Sequence, residues 1–306
     1  ITKIDRVDEE RVMEVQAQIE TLLGDAGHED IEVFPLCAPD NDGVDALRLA
    51  LHKRAQQVVH RPADGHFRMA IDRVFTLKGV GLVVTGMVFS GAAGIDDSLL
   101  VSCDGSPVRV RGIRAHNQLS ARAQAGQRCA INIVGRGVNG NTLSRGDWLM
   151  HSNLYAPSQS LLESESRPLK HWTPTHLHIG AAHLAARVAV LSGGAIAAGE
   201  RGLVQLVLAQ DAFVVHGDRF VLRDQSAQRT IAGGHVIAPC SPKRGRARPT
   251  RIAQLHAMNH RDPADALAAL TGISETGVSP DAFAVANNLA QAHMDAIIES
   301  LSLRRV

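Results

Sequence analysis

The chain is poor in aromatic residues: two Trp, one Tyr and seven Phe make up 3% of its 306 residues. That disfavours a binding mode built on many stacked bases, because each stacked base needs its own aromatic platform. Cysteine is scarce too. Cys37, Cys103, Cys129 and Cys240 stand far apart and form no C-x-x-C pair. That spacing argues against a four-cysteine zinc site and a disulfide framework, and a reducing, cytoplasmic setting is the expectation. No apolar run approaches the roughly 18 residues of a membrane span, and no secretory signal is visible, so no membrane contact is expected. Neither charge sign is in surplus. The 32 Lys and Arg against 31 Asp and Glu leave a formal charge of +1, which argues against a uniformly basic nucleic-acid binder but leaves room for local basic patches. A starting Met is also missing: the first residue is Ile1, which suggests a fragment or a processed product.

The residues present read as an ordinary folded chain, 45% apolar and 21% charged, long enough for two or more domains. Residues 1–58 read as a small α/β piece. A helix begins after Asp8, a plausible N-cap, with Val12, Val15, Ile19, Leu22 and Leu23 at helical spacing. Ile31, Val33 and Leu36 alternate as a strand, and 44–58 is a second amphipathic helix. Two helices and two short strands cannot complete a sheet, so this piece is expected to be the end of a larger doubly wound domain.

The period then changes. Over 66–152 short strands alternate with Gly, Asn and Asp turns, the pattern of a small antiparallel barrel, and 158–242 repeats it, ending in a strand at 235–237. Residues 243–306 begin with the basic run Lys243, Arg244, Arg246 and Arg248. Three helical stretches come next, the last broken near Asn287-Asn288, with Ser279 as an N-cap. This order fits the start of a winged-helix module. The fold class expected is mainly β: two barrels between the end of an α/β domain and the start of a helical region.

Several motifs carry chemistry. Thr2-Lys3-Ile4-Asp5 has the [NT]-K-x-D form. A carboxylate such as Asp5 can accept from the guanine N1–H and exocyclic amine, a donor pair adenine lacks. The Lys3 stem can cover the base plane. Some 30 residues on, Cys37-Ala38 stands after the expected strand. The segments Ile71-Asp72-Arg73-Val74-Phe75, Lys78-Gly79-Val80-Gly81-Leu82-Val83-Val84-Thr85-Gly86, Ala125-Gly126-Gln127-Arg128 and Arg145-Gly146-Asp147-Trp148-Leu149 then occur in order. Phe220-Val221-Leu222-Arg223-Asp224 and Thr230-Ile231-Ala232-Gly233-Gly234-His235 complete the series.

Taken together, these segments resemble the translational GTPases over about residues 1–240. In that family Cys37-Ala38 would be the loop whose backbone N–H groups bind guanine O6, with Cys37 replacing the usual Ser. The Asp72-Arg73 pair, Arg128 and a helical region after the second barrel are similar to the bacterial selenocysteine-specific elongation factors rather than to elongation factor Tu. The resemblance implies that Asp72, Arg73 and Arg128 line a selenocysteyl pocket. The chemistry agrees: a selenol is ionised at neutral pH, and Arg keeps its charge when partly buried. Arg73 shares the parity of Phe67, Met69 and Ile71, which would aim it at an apolar or cleft-facing side unless a bulge intervenes. A structural ion pair of Asp72 with Arg128 across the barrel is the alternative reading.

The resemblance implies GTP with Mg2+ as the cofactor of the intact protein. Its implied partners are selenocysteyl-tRNA, the ribosome and an mRNA hairpin bound through further winged helices, with a monomeric state. No G-x-x-x-x-G-K-[ST] run occurs in the chain. The chain is therefore expected to be a fragment holding the end of the GTPase domain, with no nucleotide bound and no GTP hydrolysis. Another translational GTPase of the elongation factor Tu type, or a non-catalytic RNA-binding barrel module, are the competing readings. Lys243, Arg244, Arg246 and Arg248 are candidate RNA phosphate contacts or a solvated linker. His176, His178 and His183 invite a metal reading, but no Cys or carboxylate cluster lies near them in sequence, and no metal is expected.

Overall fold

The structure, a computed structural model, describes residues 1–25, 31–58, 64–154, 168–242 and 244–304. The chain divides into two compact units, Ile1–His60 and Arg61–Val306.

In the first unit, helix α1 spans Glu9–Asp25 and α2 spans Val44–Gln57. Asp8 caps α1 as expected, its carboxylate accepting from the Arg11 N–H at 2.9 Å. The strand expected over 31–36 is not a ladder. It is reduced to one parallel bridge, Thr2 with Leu36, supported by Leu36 N–H donating to Ile1 O at 2.8 Å and by the Ile1 amino group on Phe34 O at 2.9 Å. Apolar alternation marks a strand only when a neighbouring strand can pair along its length. Here the lead-in turns into a 3-10 helix at Ile4–Arg6 after one bridge.

The second unit begins with a closed barrel. Its strands are β1 (Arg68–Leu77), β2 (Gly81–Ser90), β3 (Ala92–Gly94), β4 (Ser98–Val101), β5 (Pro107–Ala115), β6 (Gln118–Ser120), β7 (Arg122–Gln124), β8 (Arg128–Val134) and β9 (Trp148–Met150). The main sheet runs β4-β9-β1-β2-β8-β5-β6, and β4 also pairs with β5, so the sheet closes on itself. Strands β3 and β7 form a separate ribbon. Alternate residues point inward, and Met69, Ile71, Val84, Ile113, Ile131 and Leu149 fill the interior.

One irregularity in β1 governs the outer face. Ile71 pairs with Gly86 and Arg73 with Thr85, so Asp72 is an extra residue in β1. This bulge requires a glycine opposite it: a Cβ on Gly86 would lie 1.9 Å from the Ala70 carbonyl oxygen. It also reverses the parity of the residues after Asp72. Val74 packs against the core, and Arg73 is exposed. The expectation that Arg73 shares the buried side of Met69 and Ile71 is thus corrected by the inserted residue.

The next stretch holds β10 (Leu169–Lys170), β11 (Thr173–Ile179), β12 (Ala182–Val190), β13 (Ala195–Ile196), β14 (Val204–Leu208), β15 (Arg219–Arg223) and β16 (Thr230–His235). Five of them form an antiparallel sheet, β14-β12-β11-β15-β16, and β10 pairs with β13. The final strand lies earlier than expected. Val236 and Ile237 are fully buried but come after the strand, because Val236 exchanges hydrogen bonds with the turn at Gly217 and Asp218. Burial, not pairing, produced their apolar signature.

Four helices complete the unit: α3 (Pro249–Met258), α4 (Pro263–Ile273), α5 (Pro280–Asn287) and α6 (Gln291–Ser300). Ser279 caps α5 by accepting from Ala282 N–H at 3.3 Å. The expected break falls at Asn288, whose left-handed φ of 52° ends α5. Phe283, Met294, Leu267 and Leu270 form the core of this helical group.

A buried ion pair joins the two barrels. Arg68 of β1 reaches Asp218 with two bonds, 2.7 and 3.1 Å, and its side chain is only 3% exposed. The same guanidinium donates to Phe213 O at 3.2 Å and lies 4.3 Å from the Trp148 ring centre. Asn288 ties the helices to the first barrel through His66 N–H, His66 O and Ser90 Oγ at 2.9, 3.2 and 2.8 Å. Removing one partner of a buried pair leaves an uncompensated charge and costs about 3–5 kcal/mol. We expect Asp218→Ala to lower the stability of this unit by that amount in urea unfolding. The double variant Arg68→Met/Asp218→Leu should recover most of it.

Candidate functional site

Three of the residues singled out in sequence lie on the outer face of the first barrel. The bulge sets Asp72 of β1 opposite Thr85 and Gly86 in the middle of β2. Arg128, the first residue of β8, forms a bidentate ion pair with it, one bond of 2.9 Å and one shorter. Thr85 Oγ1 donates to the same carboxylate at 2.9 Å. Sequence reasoning passed over Thr85 as a partner; its place in a run of valines on β2 gave no signal without the register. Arg73 does not join the pair and makes no hydrogen bond or ion pair among the described residues.

The hydrogen-bonded Arg128 guanidinium holds the Asp72 carboxyl below the usual carboxylate range; partial burial opposes this and the Thr85 hydroxyl assists. Arg128 in turn is held firmly protonated by Asp72. Arg128 is 51% exposed and Asp72 25%, so solvent screens the pair. The arrangement offers a carboxylate with fixed orientation, a clamped guanidinium and, one residue away, an uncommitted one.

In the first unit, the two halves of the guanine-type motif come together. The Thr2–Leu36 bridge sets Asp5 beside Cys37, whose thiol lies 3.2 Å from Asp5 Oδ1 and 3.1 Å from Asp40 Oδ2. Lys3 adopts a left-handed backbone, φ 62°. Asp5 and Cys37, with Ile4, Val7, Pro35 and Asp40 among others, line a cleft. The Asp40 carboxylate, accepting from the thiol, is the main cause pushing the Cys37 pKa up to about 11. Ala38 stands next to Cys37 at the rim and is exposed. The Cys37 N–H is taken by Asp42 O at 3.0 Å. These side chains fit a guanine base: acceptor oxygens at Asp5 and an apolar wall from Ile4 and Val7. The chain holds no phosphate-binding loop sequence beside them.

Along the basic run, Lys243 lies outside the described residues. Arg244 and Arg248 are exposed, and Arg246 lies 5.6 Å from the Trp172 ring centre. His176, His178 and His183 gather on one face of β11 and β12, with His183 Nε2 2.8 Å from His176 Nδ1. Burial, then the neighbouring His183, lowers the His178 pKa. Among the described residues no group of three or more His, Cys, Asp or Glu could hold a metal ion, and no helix is long and apolar enough to cross a membrane.

Closed barrel, second barrel-type sheet and preceding helices in this order define a chain of the elongation-factor type. Residues 158–243 match the family described as "Selenocysteine-specific elongation factor, beta-barrel domain". The chain is 38% identical to the selenocysteine-specific elongation factor of Escherichia coli over 273 residues, 87% of this chain and 42% of that protein. It is 31% identical to that of Desulfomicrobium baculatum, over 79% of this chain and 39% of the relative. Among solved structures, a bacterial selenocysteine-specific elongation factor superposes with a TM-score of 0.75 at 21% identity, covering 96% of this chain and 48% of that one. The elongation factor SelB from Methanococcus maripaludis, in complex with the GTP analogue GppNHp, gives a TM-score of 0.63 at 20% identity, covering 77% and 57%. Over most of its residues the chain is similar to the selenocysteine-specific elongation factors, and residues 158–243 carry that family's beta-barrel domain. It spans about two fifths of the length of these curated relatives.

The Asp72 pair predicts a pH response of definite sign. Its contribution is present above the ordinary carboxylate range and is lost as pH falls through the depressed pKa of the folded chain. Arg128→Gln should move the Asp72 pKa upward, read from its 13C carboxyl shift, at a stability cost of about 1 kcal/mol or less. The protonated Cys37 thiol should react with iodoacetamide at pH 8 far more slowly than exposed Cys240, and Asp40→Asn should speed it.

Proposed function

We propose that this chain is the acyl-RNA-holding part of a factor that delivers selenocysteyl-tRNA to the ribosome, the intact protein binding GTP with Mg2+. The observation that carries the reading is the outer-face constellation of Asp72, Arg128 and unpaired Arg73, in a chain whose relatives are selenocysteine-specific elongation factors. A selenolate is an anion at neutral pH, whereas the hydroxyl of a seryl ester is neutral. A site with an uncommitted guanidinium favours the first by a charge-assisted hydrogen bond, worth about 1.5–3 kcal/mol. Arg73 supplies that contact. Asp72 orients Arg128 and offers its carboxylate to the aminoacyl amine, while Arg128 adds a second fixed positive charge.

In the first unit Thr2, Lys3, Asp5, Cys37 and Ala38 hold the guanine base. Asp5 accepts from the base, and the Lys3 stem lies along its plane. Bound GTP would supply the free energy of hydrolysis, and this chain's own residues contribute base recognition only. Lys243, Arg244, Arg246 and Arg248 are assigned to RNA phosphates, with Arg246 steadied by Trp172. The helices after them begin a winged-helix region whose further members reach an mRNA hairpin in a cytoplasmic, monomeric factor.

Binding of selenocysteyl-tRNA and seryl-tRNA to the purified chain tests the reading. We expect a clear preference for the selenocysteyl form, reduced about 10-fold by Arg73→Gln with smaller loss for seryl-tRNA. Equal affinity of the unaltered chain for both tRNAs would overturn the selenocysteine assignment.

A further inference from the structure

The helical group meets the second barrel around a cavity of about 490 Å³. Its wall comes from separate parts of the chain. Leu154 follows the first barrel, Val214 lies between β14 and β15, Ala238 follows β16, and Leu270 and Phe283 belong to α4 and α5. All five are buried. Met258 of α3 and Ala286 of α5 continue the same apolar surface. The volume lies within the roughly 300–1,000 Å³ of small-molecule sites, which concentrate where domains meet.

One cation faces this wall. Arg251 stands in the first turn of α3, a turn that holds no acidic side chain. Its contacts are long: Nη2 approaches Cys240 O at 3.3 Å and Ser241 Oγ at 3.5 Å, and Nη1 approaches Gln254 Oε1 at 3.5 Å. These use three of the five guanidinium N–H groups, and none goes to a carboxylate. Burial lowers the Arg251 pKa, with Cys240 opposing. Arg68 makes the contrast within the same unit, since its guanidinium meets Asp218 at 2.7 Å. Arg251 forms no ion pair among the described residues. A guanidinium drawn out of water gains most from a carboxylate, which can accept two parallel bonds. Asp281 also borders the cavity, but it is exposed and sits in the first turn of α5, where the helix end offsets its charge.

We propose that this cavity binds a free, small apolar carboxylate, its hydrocarbon chain against the Leu270–Phe283 wall and its carboxylate on Arg251. A single cation beside a limited apolar volume suits one short chain with one terminal anion. Because barrel and helices both line the cavity, the bound molecule strengthens the docking of α3, α4 and α5 on the second barrel. The inference does not depend on which RNA the chain binds.

Octanoate, hexanoate, 1-octanol and octylamine, each below its aggregation concentration, are titrated into the purified chain by calorimetry. We expect one octanoate per chain, bound about 10-fold or more tighter than octanol, the worth of a charge-assisted hydrogen bond. Hexanoate should bind about 15-fold more weakly than octanoate, at about 4-fold per buried methylene. Octylamine should bind least. The 13C-methyl signal of Met258 should move during the octanoate titration, while that of exposed Met87 on β2 stays in place. Arg251→Gln should reduce octanoate to the affinity of octanol and leave octanol unchanged. Ala286→Leu, which fills part of the cavity, should weaken both. Absence of octanoate binding, equal affinity for octanoate and octanol, or an unmoved Met258 signal would each overturn the proposal. A peptide ending in an apolar residue that moves the Met258 signal and binds more tightly than octanoate would overturn the small-molecule assignment. If Arg251→Gln fails to fold, the ranking of octanoate, octanol and octylamine on the unaltered chain still decides the role of the charge.

Discussion

The second unit depends on a charge that has no water. Arg68 is buried between the two barrels, and a guanidinium in that position requires an acid, a carbonyl or an aromatic face on every open side. Asp218, Phe213 O and Trp148 supply all three. Trp148 and Asp218 are themselves fixed by other needs. Trp148 packs with Phe89, Ala70 and Met150, and Asp218 accepts from Val215 N–H at 3.0 Å. The pair adds little net energy compared with an apolar contact of the same size, but it permits a single docking geometry, since any other leaves the charge unmatched.

The outer-face site uses an irregularity in the same strand. Regular alternation in β1 would turn residue 73 inward. One inserted residue turns it outward beside Asp72, and Gly86 gives the backbone room to do so. The core keeps its filling because Val74 occupies the inward position that the inserted residue moved along the strand. Fold and site therefore meet at one backbone position rather than competing for side chains.

The strands, the helix break at Asn287-Asn288 and the caps at Asp8 and Ser279 were legible because each rests on local chemistry. The features that local reading missed depend on partners far along the chain. The alternation at 31–36 looked like a strand, but pairing needs a neighbour, and the lead-in offers only one bridge. Val236 and Ile237 were apolar because they are buried, not because they pair. Parity along β1 counted residues correctly and still misplaced Arg73, since a bulge is a property of two strands. Arg68 and Asp218 drew no attention; a charged residue in an apolar strand cannot announce a partner 150 positions away. For Asp72 and Arg128, 56 residues apart, residue types raised both a pocket and an ion pair, and the geometry contains the ion pair.

Asn288 satisfies the backbone of His66, 222 residues earlier. Synthesis runs from the N-terminus, so the first barrel leaves the ribosome well before its last hydrogen-bond partner has been made. Until then the His66 groups and the Arg68 guanidinium must stay with water, and the face that later meets the second barrel stays open. Closing the contact is a long-range event of the kind that slows folding. A nascent chain of this protein therefore carries a period of vulnerability whose length is set by translation speed, not by the strength of any contact in the finished molecule.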